Sequence, residues 1–279
     1  MLAIILATLA NVSIASLLVA GIVPGIFLAG LFALYAIART VINPSLDAKV
    51  DTVDPSQRGL WPILLSILEI LPLCVIIFLV LGLIILGIAQ PTEAAATGII
   101  GTALMAAVMK KITLRTIYEA CYGAAITTAA ILIILASAKL FSQLLAFTGA
   151  TAGLISLLSD VEVNRWVLFF LMMATVFLFC KFMDQLAIML IAVPVYSPII
   201  SHLGFDPIWF WMLFLINITV GGITPPFGYT MFVFKSAAPE VPLIEIYLAA
   251  LPMVGIVIFG MFVMTVFPQI VTWLPYAGH

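Results

Sequence analysis

Charged residues are the scarcest class in this 279-residue sequence, at 8% of the chain. A soluble domain carries roughly a quarter of its residues as Asp, Glu, Lys and Arg, whereas 65% of this chain is hydrophobic. Apolar runs of the roughly 20 residues that a membrane-spanning helix needs recur along it. The composition therefore excludes a soluble protein and predicts an all-α, polytopic integral membrane protein.

Histidine, cysteine and an excess of positive charge are also lacking. The chain has 2 His, 3 Cys and 10 Lys+Arg against 12 Asp+Glu, so nucleic-acid binding is excluded. Cys74, Cys121 and Cys180 are widely spaced in apolar runs, which favours neither disulfides nor zinc, and we interpret them as apolar fillers. No G-x-S-x-G, H-E-x-x-H or P-loop motif occurs, so we predict no enzyme activity.

Polar segments divide the chain into five regions. Residues 1–38 form apolar membrane structure, because the N-terminal run lacks the basic residues of a signal peptide. Residues 39–60 are predicted to be a polar loop, and residues 61–158 to be transmembrane helices with a short interfacial segment at 112–120. Residues 159–238 contain the irregular features described below. Residues 239–279 contain a last span, expected from Ile246 to Trp273.

The distribution of basic residues predicts the orientation. Lysine and arginine concentrate in cytoplasmic loops, which places the 39–60 loop inside and the turn around Asp160 and Glu162 outside. Seven bases then lie on the cytoplasmic side: Arg39, Lys49, Arg58, Lys110, Lys111, Arg115 and Lys235.

Four charges interrupt apolar segments, where charge is costly and often marks function. Glu69 and Lys139 are interpreted as a structural ion pair or as residues that extend towards an interface. Lys181 and Asp184 occur together between apolar runs too short for two comfortable spans, so we predict a helical hairpin with its tip at Cys180–Gln185. Asp184 could supply a carboxylate to a cation, or could simply pair with Lys181.

A second irregularity is the stretch Gly221-Gly-Ile-Thr-Pro-Pro-Phe-Gly228, between apolar halves at 208–220 and 229–237. Paired glycines free the backbone, and paired prolines remove two amide donors. These features predict a discontinuous helix whose first half ends in bare carbonyls. Those carbonyls and the Thr224 hydroxyl suit an alkali cation, and the second half offers amides to an anion. A proline kink with no ligand is the alternative.

The sequence resembles the large permease subunit of tripartite ATP-independent periplasmic (TRAP) transporters, over about Asn11 to Pro275. The stretch GFDPIWFWMLFLINITVGGITPPFGYTMFV at 204–233 is the most specific part of this resemblance. Weaker stretches occur in the family's order: NVSIASLLVAGIVPGIFLAG at 11–30, QPTEAAATGIIG at 90–101, FMDQLAIMLIAVPVYSPII at 182–200 and the tail ALP…FPQIVTWLP.

The resemblance implies an elevator-type, sodium-coupled transporter of organic acids in a bacterial inner membrane, built from inverted repeats. It also implies two partners, a small membrane subunit and a periplasmic substrate-binding protein, with Na+ as coupling ion and no organic cofactor. Residues 1–38 would be the end of the first repeat and a connecting helix, and 159–238 the hairpin and broken helix of the second repeat. When the family's site residues are transferred to the matching positions of this sequence, the implied sodium ligands are Asp184, Gly221, Gly222 and Thr224. The implied substrate-facing residues are Lys181, Gln185, Pro225, Pro226 and Gly228.

The sequence departs from the family in two respects. The family's earlier half is absent before Asn11, so the chain could be one part of a split permease, with a separate N-terminal half as a further partner, or the product of a truncated gene, or a fragment. Lys181 replaces a residue that is more often apolar or small in the family, and could bear on which anion is taken. A sodium/dicarboxylate-type symporter that needs no binding protein, and a non-catalytic structural membrane subunit, are the alternatives.

Overall fold

The computed structural model describes residues 2–43, 60–110, 112–150, 153, 156, 164–225, 231, 234–236 and 240–277, without the side chains of 60–69 and 73. Regular structure in these ranges is α-helical, as the composition predicted. The helices are α1 (Leu2–Ala10), α2 (Ile14–Ala20), α3 (Ile22–Ile42), α4 (Leu60–Ile85), α5 (Pro91–Val108), α6 (Leu114–Phe147), α7 (Arg165–Phe179), α8 (Gln185–Leu203), α9 (Pro207–Gly221), α10 (Leu243–Val266) and α11 (Gln269–Tyr276).

Five helical segments of the described chain are long and apolar enough to cross a membrane: Ile14–Ile42, Pro91–Val108, Leu114–Phe147, Gln185–Leu203 and Leu243–Val266. The polytopic prediction is therefore confirmed. By contrast, α7 and α9 have 15 residues each. At 1.5 Å per residue each extends about 22 Å, less than the ~30 Å of a hydrocarbon core.

The chain forms two compact units, one of Met1–Phe32 with Ala129–His279 and one of Ala33–Thr128. In the second unit, α4 and α5 pack on each other where α5 carries glycine. A Cβ on Gly98 would lie 3.0 Å from Val80 Cγ2, and one on Gly101 would lie 3.3 Å from Ile76 Cγ1. The small residues on α5 thus allow close approach of the two helices.

In the first unit the core surrounds α9, which contacts α1, α2, α7, α8, α10 and α11. A helix that is apolar on every side is buried on every side, and Phe210, Leu213 and Phe214 are fully buried. The Trp209 indole donates from Nε1 to the Met264 carbonyl at 2.9 Å, which satisfies its polar atom. This central helix positions the irregular segment at its C-terminal end.

Two predicted boundaries are wrong. The segment 112–120 is not separate from the span that follows it, because α6 runs without a break from Leu114 to Phe147. The last span is not one helix: α10 ends at Val266, and Phe267 has φ −117° and ψ 75°. The ring of Pro268 disfavours helical geometry in the residue before it, which separates α10 from α11.

Candidate functional site

The predicted helical hairpin is present, with its tip at the predicted position. α7 ends at Phe179 and α8 begins at Gln185, so residues 180–184 form the connecting turn. The amides of Phe182 and Met183 both donate to the Phe179 carbonyl, at 2.9 and 3.0 Å. Farther from the tip, the Tyr196 hydroxyl donates to the Met172 carbonyl at 3.3 Å and joins the two arms.

Asp184 is the N-cap of α8, a role that was not predicted from the sequence. Its Oδ2 accepts a hydrogen bond from the Leu186 amide at 2.9 Å, and the residue is exposed. A carboxylate at a helix N-terminus is stabilised by the free amides and by the helix dipole. One bond to Oδ2 leaves the other lone pairs of the carboxylate available to a further ligand.

Lys181 does not neutralise Asp184. Within the residues that the structure describes, the single ion pair within 4.0 Å is Arg115 with Glu119. The Lys181 ammonium instead lies 4.8 Å from the centroid of the Phe177 ring, a cation–π contact. The interpretation of Asp184 as a simple partner of Lys181 therefore has no support in the geometry.

The hairpin tip touches the end of α9 at two points that flank Asp184 in sequence. A Cβ on Gly221 would lie 2.2 Å from the Cβ of Cys180, so no residue except glycine fits there without a shift. The Gln185 side chain is buried and donates from Nε2 to the Ile218 carbonyl at 3.1 Å. These contacts bring together the two irregular segments that the sequence singled out.

The carbonyls at the end of α9 are not bare, contrary to the prediction. The Val220 carbonyl accepts from the Thr224 hydroxyl at 2.8 Å and from the Ile223 amide at 3.0 Å. The Gly221 carbonyl accepts from the Thr224 amide at 3.1 Å. The peptide units after the last turn fold back on the helix, which satisfies its carbonyls as helix ends require. Thr224 is buried and donates its proton, so its hydroxyl lone pairs remain for a cation.

The predicted break in the helix is confirmed at its first half. α9 ends at Gly221, and Gly222, which is buried, donates its amide to the Ile218 carbonyl at 3.2 Å. Pro225 is half-buried just beyond the break. Of the predicted second half, Met231 and residues 234–236 are helical. Pro226 and Gly228, which were predicted to face the substrate, lie outside the described residues.

Two contacts that hold the hairpin on α9 were not predicted from the sequence. Asn217 is buried and donates from Nδ2 to the Met173 carbonyl at 2.7 Å, which ties α9 to α7. An asparagine inside the apolar run Leu215–Val220 is the signal that could have found it. Cys180 is buried, as its interpretation as an apolar filler predicted, but its contact with Gly221 could not be read from the sequence.

The oxygen atoms available at this site are hard donors. Among the described residues, no group of three or more His, Cys, Asp and Glu side chains could hold a metal. The Asp184 carboxylate, the Thr224 hydroxyl and main-chain carbonyls are oxygen donors of the types that alkali and alkaline-earth ions prefer.

Comparison with known proteins identifies the family. A family profile described as "Tripartite ATP-independent periplasmic transporter, DctM component" matches residues 1–270. The chain belongs to the DctM family. Several of the curated relatives that it matches are named as transporter permeases.

Several relatives of this DctM chain are TRAP large permeases. It is 27% identical to the C4-dicarboxylate TRAP transporter large permease protein of Pseudomonas aeruginosa, over 98% of this chain and 62% of that protein. It is 30% identical to the protein of the same name from Rhodobacter capsulatus, over 95% of this chain and 59% of that protein. The ectoine TRAP transporter large permease protein of Halomonas elongata is 25% identical to it, over 97% of this chain and 62% of that protein. The chain thus spans about 60% of the length of these relatives.

Proposed function

We propose that this DctM chain is part of a sodium-coupled secondary transporter that imports a small organic acid by an elevator mechanism. The observation that carries the proposal is the seating of the hairpin tip on the broken end of α9, through Cys180 on Gly221 and Gln185 on Ile218. Broken helices and half-helix ends are how many secondary transporters build substrate and ion sites. Irregular backbone at membrane depth persists only where it is packed in protein or lines a cavity.

The proposed sodium ligands are Asp184, Thr224 and the carbonyls around Gly221 and Gly222. Asp184 is not paired with Lys181, so its carboxylate oxygens remain available to a cation. The Gly221 carbonyl accepts one hydrogen bond, from the Thr224 amide, and has a second lone pair for a cation. A sodium ion would share these oxygens and would couple the tip to the end of α9.

The proposed substrate is an organic acid, and the group nearest the tip that could recognise it is the Lys181 ammonium. Lys181 is half-buried over Phe177, so it presents its charge beside the tip. Gln185 has a smaller part in this proposal than the sequence suggested, because its amide is buried and bonded to Ile218. The relatives named for C4-dicarboxylates, sialic acid and 2,3-diketo-L-gulonate support an acidic substrate class.

The proposed partners follow from the family. A small TRAP membrane subunit and a periplasmic binding protein would complete the complex, which would lie in a bacterial inner membrane. We expect the complete complex, and not this chain alone, to accumulate substrate, because the binding protein would deliver the substrate.

The proposal is tested by the sodium dependence of Asp184→Asn in the complete complex in liposomes. Asparagine caps a helix as well as aspartate does, so the fold should persist while the charge is lost. Loss of one charged ligand should cost about 1.5–3 kcal/mol, which raises the sodium concentration for half-maximal uptake roughly ten- to hundred-fold. The matched control is Asp206→Asn, because Asp206 caps α9 by the same chemistry, through the Trp209 amide at 2.8 Å.

Three outcomes would oppose the proposal. An unchanged sodium dependence in Asp184→Asn would leave Asp184 as a helix cap only. Sodium-driven uptake without any binding protein would favour a symporter of the sodium/dicarboxylate type. Full uptake by a complex that lacks this chain would favour a non-catalytic structural subunit.

A further inference from the structure

Lys139 is a charged side chain in the apolar helix α6, and its one assigned partner is uncharged. Its ammonium donates to the Asn11 side-chain oxygen at 3.3 Å. Among the described residues, no carboxylate lies within 4.0 Å of Lys139. A lysine within a membrane segment normally has a counter-charge or faces a polar cavity. Lys139 therefore has no counter-charge among the described residues.

A cavity of about 200 Å³ adjoins Lys139. Three segments of the first unit form it: the turn between α1 and α2, the last part of α6 and the middle of α8. Its polar lining consists of Asn11, Lys139, Ser142 and Ser197, and Pro194 and Pro198 contribute part of its apolar wall. On α6, the neighbouring Ala138 is buried, while Lys139 is exposed.

Hydrogen-bond donors predominate in this lining. The ammonium has three N–H groups and gives one to Asn11, whose own amide nitrogen has two more. The structure assigns the hydroxyls of Ser142 and Ser197 no hydrogen-bond partner in the described part of the chain. One positive charge with amide and hydroxyl donors around it matches a carboxylate group.

We propose that this cavity binds the carboxylate group of a small organic acid with a single negative charge. The single lysine balances a single charge, and no second base lines the cavity. Water occupies about 30 Å³ per molecule in the liquid, so about 200 Å³ accommodates an acid of a few carbon atoms. Pockets for larger, drug-sized ligands begin at roughly 300 Å³.

This site is distinct from the hairpin tip and does not depend on the proposed function. Pro194 and Ser197 follow Asp184 by 10 and 13 residues on α8, which corresponds to about 15–20 Å along the helix axis. A bound acid would contact α6, α8 and the α1–α2 turn together, so occupancy would stabilise their contact.

The test uses the full chain, purified in detergent without carboxylate buffers, and [¹⁴C]propanoate as the probe. We expect saturable binding of about one propanoate per chain, with competition by acetate but not by the neutral isostere propanamide. Lys139→Met should weaken binding about ten-fold or more, the scale of one charge-assisted hydrogen bond. Lys110→Met, which removes a lysine that does not line the cavity, should retain wild-type binding.

Asn11→Asp provides a second variant that keeps Lys139. Asn11 has a φ of 54°, and aspartate tolerates this left-handed conformation as asparagine does. A carboxylate at this position would occupy the ammonium permanently. We expect Asn11→Asp to lose propanoate binding while its thermal unfolding midpoint, measured without propanoate, rises above that of the wild type.

The proposal would be overturned by an absence of saturable propanoate binding to the wild type, or by unchanged binding in Lys139→Met. It would also be overturned if propanoate bound only after Glu69→Gln. That result would show that the Glu69 carboxylate, whose side chain lies outside the described parts, is the partner of Lys139.

Discussion

At the scale of single residues, the contact between Gly221 and Cys180 decides how closely the hairpin tip approaches α9. An added Cβ on Gly221 would lie 2.2 Å from Cys180 Cβ and 3.5 Å from its Cα. Because the obstructing atom belongs to the start of a side chain, it cannot rotate away. The glycine therefore serves close packing here, since it is not one of the described glycines with a positive φ.

We predict that Gly221→Ala destabilises the chain in detergent by about 1–3 kcal/mol, the usual cost of overpacking. Thermal unfolding followed by intrinsic tryptophan fluorescence measures this loss. The matched control is Gly255→Ala on α10, where an added Cβ has nothing within 4 Å and should be neutral or slightly stabilising. Cys180→Gly removes the obstructing atom, so the double variant should recover stability; a persistent deficit would place the strain elsewhere.

At the scale of elements, the separation of α11 from α10 is stabilised by a bond to a different helix. The Tyr276 hydroxyl, at the end of α11, donates to the Asp206 carboxylate at the start of α9, at 2.7 Å. Burial, the hydrogen bond to Asp206 and the charge of Asp206 raise the pKa of Tyr276 to about 12. The proline break and this bond together determine where the last helix packs.

The Tyr276 bond predicts a stability change at alkaline pH. The pKa of Tyr276 is about 12 in the folded chain and about 10 in an unfolded one. Its contribution is therefore fully present below pH 10 and is lost as the pH rises through about 12. Tyr276→Phe should lower the thermal unfolding midpoint at pH 8. Between pH 10 and 12, the midpoint of this variant should decline less steeply than that of the wild type.

The control for this prediction is Tyr118→Phe, which removes a tyrosine hydroxyl that has no acidic partner among the described residues. That variant should retain the wild-type decline with pH. Equal declines in Tyr276→Phe and the wild type would show that the bond to Asp206 contributes nothing to stability.

At the scale of the whole molecule, the orientation in the membrane depends on whether α7 and α8 enter and leave from one side. α7, with 15 residues, is about 22 Å long, too short to cross a core of ~30 Å. α8, with 19 residues, is long enough to do so. The short α7 favours entry from one side, and with that arrangement the distribution of basic residues predicts a cytoplasmic 39–60 loop.

Cysteine labelling in intact cells tests this orientation. We expect Glu162→Cys to react with a membrane-impermeant maleimide from the periplasm, and Lys49→Cys and Lys110→Cys to react only after permeabilisation. The background should carry alanine at Cys74, Cys121 and Cys180, since alanine keeps the Cβ that packs on Gly221. Labelling of Lys49→Cys in intact cells would reverse the orientation and remove the basis for a one-sided hairpin.

The sequence alone predicted the membrane class, the family, the hairpin tip and the end of α9. These features are local: Lys181 and Asp184 interrupt one apolar run, and paired glycines and prolines end another. The sequence also contained the signal for the break at Pro268, which restricts the residue before it, but hydropathy averaged over a span does not show it.

Only the tertiary structure decided which side chains meet. Lys139 and Asn11 are 128 positions apart, and Gln185 contacts a carbonyl 33 positions away. Such contacts depend on how helices pack, and residue periodicity on a helix apolar all round does not indicate which face meets which neighbour. The sequence also predicted bare carbonyls at the end of the first half-helix, whereas the folded turn supplies those of Val220 and Gly221 with donors from Ile223 and Thr224. Composition determines which segments of this chain are helical and apolar, because the preference for lipid is a property of each residue alone. Packing decides which residues form the sites, because a contact depends on the positions of two residues.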